Sequence, residues 1–216
     1  MNNSASPRIA INVMRSRLTV VGVNVAVVSF QVPQLFKLKG GVVIPGIDHS
    51  IHFRADIALL MALVFSLLAL VAFIASTSLD EVGYCDHWSF IAGDLLMYLG
   101  LANAITGFIS PLHQTFQMAL QSASVQDLNL AMLGSIITVF GSIIWFATFY
   151  IGPIVTLKRS PFSRMGNLGL SLGYVVLLLI VFWVFHQAVN IELSVLSNQE
   201  KVVIPYYYEL LQPLLW

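Results

Sequence analysis

A chain of 216 residues with 58% hydrophobic and only 9% charged residues cannot give most of its helices the polar face that water requires; soluble domains carry about 25% charged residues. Most of its surface therefore has lipid as its solvent, and a formal net charge of zero gives no long-range attraction to nucleic acid. Cys85 is the single cysteine, which excludes an internal disulfide framework, a CxxC redox pair and a multi-cysteine zinc or iron–sulfur site within the chain.

The first apolar run, Leu18 to Phe36, follows Arg8, Arg15 and Arg17 in the charge order of a secretory signal. It lacks a small-x-small cleavage pattern and reads as retained. It also holds Asn24, Gln31, Pro33, Gln34 and seven valines, residues that suit a strand as well as a helix. Two readings stand for it: a fifth span, or an interfacial or extended piece. Lys39-Gly40-Gly41 reads as a turn, and residues 41–53 as irregular or extended chain.

Four clearer spans follow. Ile57 to Ser76 has only Ser66 and Ser76 as polar residues, and twenty helical residues cover about 30 Å, the thickness of a hydrocarbon core. Trp88 to Phe108 is interrupted by Asp94 and Asn103. Leu128 to Leu157 is long enough to cross with tilt, and Pro153 is expected to bend or end it. Leu168 to Phe185 is the fourth. The tail from Asn190 carries Tyr206, Tyr207, Tyr208 and Trp216 and is expected to lie along the headgroup level. The expected fold is an all-α, left-handed bundle of four transmembrane helices. Its N-terminal region is residues 1–54, its bundle 55–189 and its tail 190–216.

Four crossings put seven Lys and Arg on the side of the termini against Lys158, Arg159 and Arg164 on the other, which favours cytoplasmic termini. A fifth span changes the division to six against four.

Lipid is as apolar as leucine, so association of these helices rests on close packing. Small residues recur every seven positions: Ala55, Ala62, Ala69 and Ser76; Gly93, Gly100 and Gly107; Gly134 and Gly141; Gly166 and Gly173, with Gly169 adding a GxxxG. That period keeps one narrow seam facing a neighbour. Such seams read as tight helix contacts before they read as a channel lining.

Asp94 is the residue most in need of an explanation, because an ionised carboxylate inside a span costs about 2–3 kcal/mol or more unless a partner, water or a proton relieves it. Tyr98 at i+4 and Asn103 further along are its polar neighbours on the same helix, and neither is a cation. Asp94, Tyr98 and Asn103 are thus the candidate ion or proton site, against a structural carboxylate bound to a neighbouring helix or subunit. His49, His52, His113 and His186 share one side in the four-span topology, but their spacing matches no zinc or haem pattern. They are weak metal candidates, and no cofactor is implied. No GxSxG elbow, Arg-rich voltage helix, TVGYG filter or phosphate loop occurs, and Ser171 and His186 are too far apart on one helix to pair. Lys158, Arg159 and Arg164 read as a solvated loop, with lipid headgroups as the alternative.

The expected function is a non-enzymatic structural or accessory subunit of a membrane complex, partnered by lipid and by other membrane subunits or further copies of itself. The alternative is a small oligomeric ion or proton channel or transporter using Asp94. An intramembrane redox or hydrolytic enzyme built on the histidines is a distant third.

Overall fold

The computed structural model describes residues 11–38, 41–79, 87–122, 128–196 and 205–216; Arg8, Lys39, Gly40, Asp80, Glu81, Cys85, Asp86 and Lys201 lie outside them. The described residues form helices α1 (Ile11–Leu35), α2 (Phe53–Leu79), α3 (Ser89–Ser122), α4 (Leu128–Phe146), α5 (Gly152–Lys158) and α6 (Arg164–Leu196). A π-helical turn (Ala147–Ile151) joins α4 to α5, and a 3₁₀ segment (Tyr206–Leu215) ends the chain. Five helical rods are long and apolar enough to cross a membrane: α1, α2, α3, α4 continued through α5, and α6.

The valine-rich first run is a helix. A single lipid-exposed strand would leave its backbone N–H and C=O groups without partners, whereas a helix satisfies them within itself, and this outweighs valine's preference for strands. Val21, Asn24, Val28 and Leu35 share one face and are buried. On that face the Asn24 amide donates to the Ser66 hydroxyl at 2.7 Å, and Ser66 in turn donates to the Ala62 carbonyl.

α3 is the core of the bundle, with 61% of its most apolar stretch buried against 17–39% for the other four rods. It packs most extensively on α2. Residues 93, 100 and 107 of α3 face 73, 66 and 59 of α2, so the two run antiparallel. A Cβ at Gly93 would come within 2.7 Å of the Phe73 ring, one at Gly100 within 2.8 Å of the Ser66 hydroxyl, and one at Gly107 within 2.6 Å of Leu59. Opposite them Ala55, Ala62, Ala69 and Ser76 are all buried. The seven-residue seam thus brings α2 and α3 together.

The other seams differ. Gly141 lies close under Trp216 and Ile109, and Gly134 makes ordinary contact with Phe116. Gly169 and Gly173 meet nothing within 4 Å, so the seam expected on α6 does not face this bundle. α6 docks instead through Tyr174, Val181, Phe182 and Phe185, all buried, with Phe182 stacked on Phe149 at 5.3 Å.

Two prolines sit inside continuous rods. α3 runs through Pro111 to Ser122, beyond the boundary expected at Phe108, with the Thr115 hydroxyl donating to the Pro111 carbonyl. Pro153 lacks the N–H that would bond the Phe149 carbonyl in an α-helix, and the Tyr174 hydroxyl donates to that carbonyl at 2.7 Å. The rod therefore continues to Lys158.

Arg17 and Asn24 of α1 meet α3 near Asp94 and Gly100, so α1 runs parallel to α3. α6 shares that direction, with Tyr174 at the level of Phe149 and Glu192 beside Arg54. The start of α1 and the end of α6 consequently lie at opposite ends of the bundle. Arg15, Arg17, Lys158, Arg159 and Arg164 gather at the end where α1 begins. The terminal 3₁₀ segment does more than lie along the surface. Tyr206, Tyr207 and Tyr208 are exposed, but Glu209 and Gln212 are fully buried, and the Tyr150 hydroxyl holds the Leu210 carbonyl.

Candidate functional site

Among the described residues, two clusters built on ion pairs are buried in the bundle, one toward each end. The first is built on Asp94, whose position in the second turn of α3 points it at α1. The Arg17 guanidinium grips it in two places, Nη2 to Oδ2 at 2.7 Å and Nε to Oδ1. Side-chain exposure is 2% for Asp94 and 22% for Arg17, so the carboxylate is dry and the guanidinium reaches toward the bundle's edge. Arg17 also lies over the Phe90 ring, its Cζ 4.3 Å from the centroid. A bidentate Arg–carboxylate pair with an aromatic floor neutralises the charge where it is buried.

Tyr98 and Asn103 do not join that pair. The Tyr98 ring fills the space beside Gly152, where a Cβ would come within 2.5 Å of it. Asn103 donates to the Leu99 carbonyl on its own helix at 2.7 Å, and its buried Oδ1 has no hydrogen-bond partner among the described residues. Nine residues separate Asp94 from Asn103, about 13 Å along the helix. The three residues therefore stand as an ion pair, a packing ring and a self-bonded amide.

The second cluster was not anticipated. The Trp145 indole N–H donates to the Thr106 hydroxyl at 3.0 Å, and Thr106 donates to Gln212 Oε1 at 3.1 Å. Gln212 Nε2 donates to Glu209 Oε2 at 3.3 Å, and the same oxygen lies 3.6 Å from Arg54 Nη2. Trp145, Thr106, Gln212, Glu209 and Arg54 are all buried. These contacts tie α4, α3, the terminal segment and α2 in sequence. Glu192 of α6 stands against Arg54 as well. Burial pushes the Glu209 carboxyl above the ordinary carboxylate range, while Arg54 and the Gln212 hydrogen bond pull it back. The sequence does carry a signal for this cluster: Arg54 at the head of the most apolar span, and Glu209 and Gln212 inside an aromatic and leucine-rich tail.

The histidines are dispersed. His49 packs on Phe36 at 4.4 Å, His52 Nε2 lies 3.4 Å from the Leu38 carbonyl, and His113 pairs with Thr138 at 2.8 Å. His186 meets the Tyr206 ring edge-on at 5.7 Å. Among the described residues no three His, Cys, Asp or Glu side chains are placed to hold a metal ion.

Chemically, both clusters hold groups together: each opposes a cation to a carboxylate across different elements. Compared with protein-family models, curated proteins and solved structures, the chain finds no match.

Proposed function

We propose that this chain is a non-enzymatic, polytopic subunit of a larger membrane assembly, a scaffold whose work is to present fixed helix surfaces to its partners. The observation that carries the proposal is the pairing of its buried charges within the chain, Arg17 with Asp94 and Arg54 with Glu209. Buried ion pairs add little to stability compared with apolar packing, and their best-attested use is to fix register. A carboxylate that exchanges ions or protons needs to be released from its counter-charge, and a guanidinium does not give up its proton. Asp94 in this setting favours a scaffold over a conducting path.

Two further features support the reading. The α2–α3 seam closes around glycines, leaving no width for a lumen between those helices. Gly169 and Gly173 of α6 present a GxxxG face to the lipid side, where a partner helix can approach closely. With five crossings, the end bearing Arg15 and Arg159 is proposed to be cytoplasmic by the six-to-four division of cations. The test is purification from the native membrane in mild detergent. Reproducible membrane-protein partners in fixed ratio are expected; recovery as a lone monomer across several mild detergents would overturn the proposal.

A further inference from the structure

Among the described residues, the wrapping of α3 is incomplete between α1 and α4. A cleft of about 1030 Å³ opens there, with Leu101, Ile105 and Phe108 of α3 on its floor, Val23 and Val27 of α1 on one wall and Ile144 of α4 on the other. These residues belong to the middle of their spans, so the cleft faces the hydrocarbon. Its two polar side chains nearest the α1 start are already engaged, Thr19 with the Arg15 carbonyl and Asn24 with Ser66.

The shape of this lining selects its occupant. A membrane helix approaches another to about 8–10 Å through small residues. Ala26, Ala104 and Gly141 line the cleft too, but branched and aromatic side chains make up most of its floor and walls, and a flexible hydrocarbon chain conforms to them where a helix backbone is held off. Length agrees. The cleft follows α1 from Thr19 to Gln31, about 18 Å of helix, against about 15 Å for half of a hydrocarbon core.

Charge identifies the headgroup. Arg15 lies one turn before Thr19 on the same face of α1 and is exposed, whereas Arg17 faces α3 and is taken by Asp94. Lys158 and Arg159, both exposed, end α5 at that same end of the bundle. We propose that the cleft binds an acyl chain of an anionic phospholipid, with its phosphate received by Arg15 and further attracted by Lys158 and Arg159. This site is separate from both ion-pair clusters and does not depend on the scaffold function.

The test uses the full-length protein reconstituted in vesicles of equal parts phosphatidylglycerol and phosphatidylcholine, extracted in mild detergent, with retained lipid counted by native mass spectrometry. Phosphatidylglycerol is expected to be retained in preference. Arg15→Gln should lower that preference about five-fold, the effect of one cation near a phosphate. Ala26→Trp, which fills the cleft from the α1 wall, should abolish retention; Val23→Trp is the second filling variant if the first does not fold. Leu172→Trp, on the exposed face of α6, should leave retention unchanged. Equal retention of the two lipids by the native protein, or undiminished retention in a folded filling variant, would overturn the proposal. So would loss of a bound second polypeptide in place of lipid on filling, because the occupant would then be a helix.

Discussion

Replacing Arg17 by Met keeps most of the side-chain length and removes the charge, leaving the Asp94 carboxylate alone. That carboxylate is 2% exposed and would lose two charge-assisted hydrogen bonds. Breaking one side of a buried pair costs about 3–5 kcal/mol. Arg17 is 22% exposed, so water already reaches part of the pair and the lower end of that range applies. The expected loss is therefore about 3 kcal/mol. Arg17→Met combined with Asp94→Asn should recover about 2 kcal/mol, because no charge is left stranded. Reversible unfolding in bicelles, followed by circular dichroism for the native protein, both single variants and the double variant, measures the coupling directly. Additive losses in the double variant would refute the pairing argument.

One chemical change should have opposite signs on two helices. Gly100→Ala meets the Ser66 hydroxyl and the Ala62 carbonyl and is expected to cost about 1–3 kcal/mol. Gly173→Ala meets open space and should stabilise the isolated chain by up to about 1 kcal/mol through helix propensity. Thermal unfolding of the two variants checks both. Trp145→Phe removes the donor to Thr106 while keeping the ring stack on Phe149, and should cost about 1 kcal/mol with the helical circular dichroism spectrum unchanged. Glu209→Ala removes the terminal segment's charge contact with Arg54 and its internal bond to Gln212, so protease should cut the terminal segment faster than in the native protein while α1 to α6 stay protected.

The lipid setting and the all-helical fold were legible because they follow from composition, and every crossing segment must satisfy its own backbone. The α2–α3 seam was legible for a similar reason: glycine and alanine at a fixed seven-residue period specify a face without knowledge of the partner. What sat on the other side of a face was not. Asp94 stood out, but its cation lies 77 residues earlier, and only the packing of α1 on α3 sets that register. A helical reading of the valine-rich run places Arg17 on one face with Val21, Asn24, Val28 and Leu35, but it does not show which residue of α3 that face meets. Gly169 and Gly173 show the same limit from the other direction. Their spacing signals a close approach, while the aromatic ridge of Tyr174, Phe182 and Phe185 decides which side of α6 meets the bundle. The fold of the tail depended on Glu209 and Gln212 finding Arg54 and Thr106, contacts that no local pattern announces.

The central claim is that the charges buried in this bundle bind helices to one another and do not pass an ion along. Proton and cation flux through liposomes carrying the purified native protein and its Asp94→Asn variant tests it most directly. Both should leave the membrane as tight as protein-free vesicles. A flux through the native protein that the variant changes would contradict the claim.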